Sequence, residues 1–248
     1  MKMDEIEISV IAPCFNEEDN IEPLSRRLGD ALSPLGVAFE LICVDDASTD
    51  STKQRIQQAQ DKYDYVVGAF HDVNQGIVGG WRTGYEKSRG KYVVTIDADL
   101  QYRPEDIVTM YERINRGDAD MVQGWRKVQV KRGLVRWIFT AGFSFLLNLV
   151  FWMSLKDNKS GFILYRRDVL GDLLDYRSSF AYFQHFITIA ANSKGYRIQQ
   201  VPVTFDQRHS GESFIQNPFK FSFQAALDIP KAIWEYRITR PHRKVEKQ

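Results

Sequence analysis

Asp97 and Asp99, one alanine apart, close the run Val93-Val94-Thr95-Ile96 in "VVTIDADLQY". A strand that delivers two carboxylates to its carboxyl end sets like charges against each other. A hard divalent cation with oxygen ligands relieves that repulsion. Gln101, two residues on, offers a further oxygen. The structural alternative is that acidic residues punctuate strand ends as turn formers and helix caps. Other polar groups sit at comparable places: Asn16 and Glu17 after "ISVIAPC", Asp45 and Asp46 after "FELICV", and Asn74 in "NQG".

The elements that must position these residues read as alternating strands and helices. Short apolar runs bounded by turn residues predict strands at 6–13, 39–46, 65–70, 92–97 and 120–125, with a further strand at 198–205. Helices are predicted over 16–32, with an acidic first turn, and over 48–63, with Ser48 or Thr49 as N-cap. Two more cover 76–88 and 103–115, the latter with Pro104 near its start. This alternation implies an α/β fold, a mostly parallel central sheet flanked by helices. Ligands in such sheets bind beyond the carboxyl ends of the strands, where all the polar groups above fall.

At 248 residues and 44% hydrophobic, the chain suits one sizeable domain with an ordinary core. A formal net charge of +1 gives no case for wrapping nucleic acid. Basic residues cluster only locally, at 126–136 and in the tail. Cys14 and Cys43 both fall in predicted strands, which fits a reducing cytosol and no disulfide scaffold. No charged-then-apolar leader opens the sequence. The absence of G-x-G-x-x-G after the first strand and of G-x-x-x-x-G-K-[ST] anywhere speaks against a dinucleotide dehydrogenase and a P-loop NTPase. A D-x-D phosphatase would carry its motif on the first strand, which ends instead in "PCFNEE".

The ordered segments "VIAPCFNEEDNI", "VDDASTDST", "NQGIVGGWRTGYEKSRGKYVVTIDADLQYRPEDI", "KSGFILYRR" and "GYRIQQVPVTFDQRHSGES" resemble the family-two inverting glycosyltransferases of GT-A fold. Within them the resemblance is to the polyprenyl-phosphate glycosyltransferases, the group of dolichol-phosphate mannose synthase. It implies that Pro13, Phe15 and Glu17 line the nucleotide pocket and that the pair Asp45 and Asp46 accepts hydrogen bonds from the base. Asn74 and Gly76 form the N-x-G loop. Asp97, Ala98 and Asp99 form the metal and donor motif, with Gln101 beside it and Mg²⁺ or Mn²⁺ as cofactor. Gly79, Gly80 and Gly84 serve close packing of their helix on the sheet. Ser160, Gly161, Arg208 and Ser213, with Lys127 and Arg132, fall on the acceptor and phosphate side. Two positions there depart from the pattern. Phe214 stands where a basic residue follows G-x-S, leaving Arg208, His209 or Lys220 to supply charge. Gln184, His185 and Phe186 stand where an acidic residue is expected.

The implied reaction moves a sugar from a nucleotide-sugar donor, a UDP- or GDP-sugar, to a polyprenyl phosphate. Asp99 and Arg208 are the first catalytic candidates. An ionised lipid phosphate needs no strong base; a hydroxyl acceptor needs one, for which Asp157 and His185 are the candidates. His185 is as readily a packed core histidine. Transfer to a glycan hydroxyl, a non-catalytic nucleotide-sugar-binding protein and a nucleotidyltransferase that releases pyrophosphate are the rival readings.

One domain is expected over 1–240: a donor half at 1–125, an acceptor half at 126–215 and a helical element at 216–240, before a disordered tail at 241–248. The stretch 134–155 has the length of a membrane span, but Arg136, Thr140, Ser144 and Asn148 give it a polar stripe. It is read as an amphipathic interfacial helix, with burial in the protein as the alternative. The expected location is cytoplasmic and peripheral, at the inner face of the membrane, beside a lipid-linked acceptor. A homo-oligomer is possible on this reading.

Overall fold

The computed structural model describes residues 5–127, 145, 147–158, 160–175, 180, 183, 186–208 and 228–239. Seven strands form one sheet: β1 (Ile8–Cys14), β2 (Phe39–Asp45), β3 (Val66–Phe70), β4 (Tyr92–Thr95), β5 (Met121–Arg126), β6 (Ile163–Arg166) and β7 (Ile198–Val203). Their order is β3-β2-β1-β4-β6-β5-β7. The pairs β1–β2, β1–β4, β2–β3 and β5–β7 are parallel, and β6 is antiparallel to both of its neighbours. β4 and β5 therefore run the same way, and their carboxyl ends share a rim with those of β1, β2 and β3.

Helices cover both faces. Apolar residues of α1 (Ile21–Leu32), α2 (Thr52–Lys62) and α4 (Asp106–Ile114) join Ile8, Val10, Ala12 and Cys14 in one core. The opposite core takes Ile11 together with α3 (Gly76–Lys87), α5 (Arg167–Asp175), α6 (Ile187–Ser193) and Leu147 and Phe151 of the helical stretch 147–151. It also takes Ala232 of α7 (Ile229–Ala232), which runs on as a π-helical turn, Ile233–Thr239. The alternation along β1 is the period of two that a strand imposes on its side chains. Val93 and Val94 of β4 split between the two cores in the same way.

Several boundaries differ from expectation, for one physical reason. α1 begins at Ile21, not at 16, and α2 at Thr52 with Ser51 as its N-cap residue, not Ser48 or Thr49. The residues between are spent on each other. The Asn16 N–H donates to Ser48 Oγ at 2.9 Å, the Thr49 N–H to Asn16 Oδ1 at 2.8 Å, and the Glu17 N–H to Thr52 Oγ1 at 2.8 Å. Two strand-end loops thus satisfy their backbone through tertiary bonds that compete with helix formation. β6 is absent from the sequence reading: it is antiparallel to both neighbours and stands outside the strand–helix alternation that marks the parallel strands.

Candidate active site

The turn after β4 carries Asp97 to Gln101. Ala98 and Leu100 are buried in the core, Leu100 with a left-handed φ of 59°, and the carboxylates beside them are left to polar partners. Asp99 Oδ1 accepts the Gln101 N–H at 3.0 Å. Its Oδ2 lies 2.9 Å from Arg208 Nη2, and Arg208 Nη1 donates to Glu17 Oε1 at 3.0 Å. One guanidinium therefore bridges the loops after β1 and β4. Arg208 is delivered by the segment that leaves β7. There Phe205 pairs with Tyr102, the Asp206 N–H donates to the Gln101 carbonyl at 2.9 Å, and Arg103 grips the Asp206 carboxylate at 2.6 and 3.1 Å.

The cluster holds more negative charge than its cations offset. Burial, then the neighbouring Asp99, pushes Asp97 up to about 7, while Arg208 and Arg126 pull the other way. Burial also raises Asp99 and Glu17 above the ordinary carboxylate range, against the pull of Arg208. Burial and the neighbouring negative charge thus make full ionisation of this cluster costly, a cost that an added positive charge would offset. Among the described residues no three His, Cys, Asp or Glu side chains gather to hold a metal by themselves. Gln101 is turned away, its Nε2 donating to the Asp206 carbonyl at 3.4 Å.

The ends of β2 and β3 meet the start of α3. Asp46 is buried, and both its oxygens are occupied. Oδ1 takes the Gln75 N–H at 2.8 Å and faces His71 Nδ1 at 2.7 Å; Oδ2 takes the Gly76 N–H at 2.8 Å. The carboxylate expected to meet the base thus takes three partners from its own chain, two at Oδ1 and one at Oδ2. Asp45 gives Oδ1 to the Ser48 N–H at 3.2 Å, and its second oxygen has no hydrogen bond among the described residues. Asn74 Nδ2 donates to the Asp46 carbonyl at 3.2 Å, and Gly76 adopts φ 74°, open to glycine at no steric cost. Pro13 packs under α3: a Cβ built on Gly80 would stand 2.8 Å from the Pro13 Cβ. Phe15 is 38% exposed at the rim.

On the acceptor side, Arg126 ends β5 and holds Asp157 with both arms, Nε to Oδ2 at 2.6 Å and Nη2 to Oδ1 at 3.0 Å. Asp157, the candidate proton acceptor, is thereby committed to a guanidinium. Ser160 is buried, and its carbonyl accepts from Gln123 Nε2 at 2.9 Å; the Gly161 carbonyl accepts from Thr95 Oγ1 at 2.7 Å. Both brace β4 and β5 from within. Lys127 is exposed just past β5. His185, Arg132 and Ser213 lie outside the described residues, as do His209, Phe214, Lys220, the tail at 241–248 and residues 134–144.

His71 and Arg126 are not among the sequence-derived site residues. Each had a usable signal, since each is a charged or titratable residue at the carboxyl end of a strand in a mostly parallel sheet.

Residues 9–174 match the model of glycosyl transferase family 2. The chain is 33% identical over 211 residues to an undecaprenyl-phosphate 4-deoxy-4-formamido-L-arabinose transferase of Pseudomonas aeruginosa, covering 83% of this chain and 59% of that protein. It is 26% identical over 225 residues to a dodecaprenyl-phosphate galacturonate synthase of Rhizobium johnstonii, covering 90% and 65%. The chain thus spans about three fifths of the length of these curated relatives. Glucosyl-3-phosphoglycerate synthase from Mycobacterium tuberculosis, crystallised with Mn²⁺, uridine diphosphate and glucosyl-3-phosphoglycerate, superposes with a TM-score of 0.67. It is 20% identical, with 92% of this chain and 79% of that one covered. The expected GT-A arrangement is the fold found.

Proposed function

The chain belongs to glycosyl transferase family 2, and on that premise we propose that it transfers a sugar from a nucleotide-sugar donor to a polyprenyl phosphate, with inversion at the anomeric carbon. The observation that carries this reading is the acid cluster Glu17, Asp97 and Asp99, bridged by Arg208 at the carboxyl ends of the strands. A leaving nucleoside diphosphate needs its developing charge neutralised. Asp97 and Asp99 would hold Mg²⁺ or Mn²⁺, with Gln101 able to turn in. The remaining coordination would fall to diphosphate oxygens and water, the usual arrangement for a cation held by one or two carboxylates. When bound, such a cation would supply Lewis-acid stabilisation to the leaving diphosphate.

This chain's residues do the rest. Arg208 can leave its carboxylates for phosphate, which accepts two parallel N–H bonds from a guanidinium. Phe15 and the Asp45 oxygen that has no hydrogen bond among the described residues offer a ring face and an acceptor to the base, and Asn74 and Gly76 a close backbone approach. The commitment of Asp157 to Arg126 favours an acceptor that arrives already ionised, as a lipid phosphate does at neutral pH. The names of the two relatives support the polyprenyl phosphate.

No helix among the described residues is long and apolar enough to cross a membrane. Phe145, Leu149 and Trp152 are 62–74% exposed, and Trp234 and Ile238 are 60–62% exposed on the π-helical turn. Arg237 lies 3.4 Å over the Trp152 ring and joins the two. We read this pair as a peripheral docking face for the bilayer, with the exposed Lys127 as a cation for lipid phosphate.

The test is transfer of label from a panel of UDP- and GDP-sugars with Mn²⁺ into undecaprenyl phosphate in vesicles. A labelled lipid product with release of nucleoside diphosphate is expected. Release of pyrophosphate, or product only on a soluble hydroxyl acceptor, overturns the reading.

A further inference from the structure

His71 follows β3 directly, and its backbone N–H donates to the Asp45 carbonyl at 2.9 Å, extending the β2–β3 ladder by one rung. Its side chain is 5% exposed and has a partner at each ring nitrogen: Asp46 Oδ1 at 2.7 Å and Thr83 Oγ1 at 2.8 Å. A carboxylate only accepts, so Nδ1 carries the proton. In the neutral ring Nε2 then accepts from the Thr83 hydroxyl. Thr83 lies two turns along α3 from Gly76. α3 has no side-chain cap of its own at Gln75. Its first free N–H groups are instead served across the fold by Asp46. The chain Thr83–His71–Asp46–Gln75/Gly76 thus closes a loop that ties the second turn of α3 back to its first through the ends of β2 and β3.

We propose that His71 is a positioning residue for donor binding. It fixes the rotamer of Asp46, and through Asp46 the backbone of the Asn74–Gly76 loop. This rests on the reading above that the loop meets the nucleotide-sugar. Trp81, Ile77 and Val78 pack α3 into the core and Gly80 and Gly84 bring it close to β1, but these apolar contacts do not fix the backbone of Asn74 to Gly76 at the start of the helix. The polar chain removes that freedom, so the loop is set before the donor arrives. Preorganisation of this kind acts on donor affinity and leaves the chemical step untouched once donor is bound.

His71→Ala removes both bonds, and His71→Asn retains a donor near the place of Nδ1. Thr83→Val removes only the far anchor. Two readouts are taken on each: donor KM against kcat in the transfer assay, and amide hydrogen exchange. We expect His71→Ala to raise donor KM about tenfold with kcat within about twofold. Exchange at Gln75 and Gly76 should quicken, while Val10 and Ala12 of β1 keep their protection. His71→Asn should recover the larger part of both effects, and Thr83→Val should show a smaller version. Unchanged exchange at Gln75 and Gly76 in His71→Ala overturns the brace, and so does a loss spread evenly into β1. A donor KM that stays put while the loop loosens overturns its part in the reaction. If the parent protein binds neither UDP nor GDP in calorimetry with Mn²⁺, the functional reading fails instead, and exchange still decides the brace.

Discussion

Arg208 contacts Glu17 across 191 positions of sequence, and the same guanidinium reaches Asp99. Replacing it with alanine leaves two raised carboxylates facing each other with less to offset them. Arg208→Ala is expected to lose tenfold or more in transfer rate, since one charge-assisted hydrogen bond made in the transition state is worth about 1.5–3 kcal/mol. Arg55→Ala, on the exposed side of α2, is the control and should change the rate little. Asp99→Ala should abolish transfer and the Mn²⁺-dependent part of nucleotide binding in calorimetry, while far-ultraviolet circular dichroism stays that of the parent. Asp97 gives a pH dependence. Its folded-state value, about 7, lies above the ordinary 3.8. The folded state therefore holds the proton more tightly, and stability present below pH about 4 is lost as pH rises through about 7. Without metal, Asp97→Asn should gain on the parent in Tm between pH 5 and pH 8, and each kcal/mol should appear as about 2–4 °C in a domain of this size. A difference in Tm that is flat with pH would show that Asp97 is not held up by its surroundings. The identities of these acids are legible in the sequence because a strand period and a D-x-D spacing are local. Their partners are not. Nothing near Asp46 in the chain announces that its carboxylate will be filled by Gln75, Gly76 and His71, residues 25 to 30 positions away.

At the scale of elements, α3 shows what its glycines are for. A Cβ on Gly84 would stand 2.3 Å from Ile11 Cγ2, so the helix sits on β1 as close as backbones allow. Gly84→Ala should lower Tm by the equivalent of about 1–3 kcal/mol through overpacking, and Ile11→Ala, which removes Cγ1 and Cγ2, should cost less in that background than in the parent. Additive losses in the double variant would refute the contact. The outward face of the 147–151 helix bears a different expectation. Phe145 and Leu149 point to solvent, whereas Leu147 and Phe151 are buried, so glutamate at the first two should leave folding intact. Flotation with anionic vesicles should fall in Phe145→Glu/Leu149→Glu, and Trp234→Glu should reduce it again. Binding to vesicles that none of the three alters would remove the docking face. Periodicity made α3 and α4 legible to within a few residues. It failed at the starts of α1 and α2, where two loops exchange hydrogen bonds that no local pattern records.

For the molecule as a whole, one consequence of the strand order concerns time. β6 is the only described strand that touches β4 on its far side, yet about 70 residues separate their ends in the chain. At about 5–20 residues per second, a ribosome leaves the open edge of β4 waiting for several seconds. During that interval Val93, Val94 and the carboxylates beyond them stand at an unpaired sheet margin, the kind of surface on which strands of other chains pair. β5, synthesised inside the same interval, has no neighbour at all until β6 and β7 follow. A chain released at residue 126 is therefore expected to form soluble oligomers or aggregates in size-exclusion chromatography, while one released at residue 208 can close all seven strands. Monodisperse monomer from the shorter chain would show that β1 to β4 shield their own margin. Otherwise the wait makes the nascent chain a client for whatever occupies open strand edges at the tunnel exit, and it makes pauses before residue 163 the costly ones.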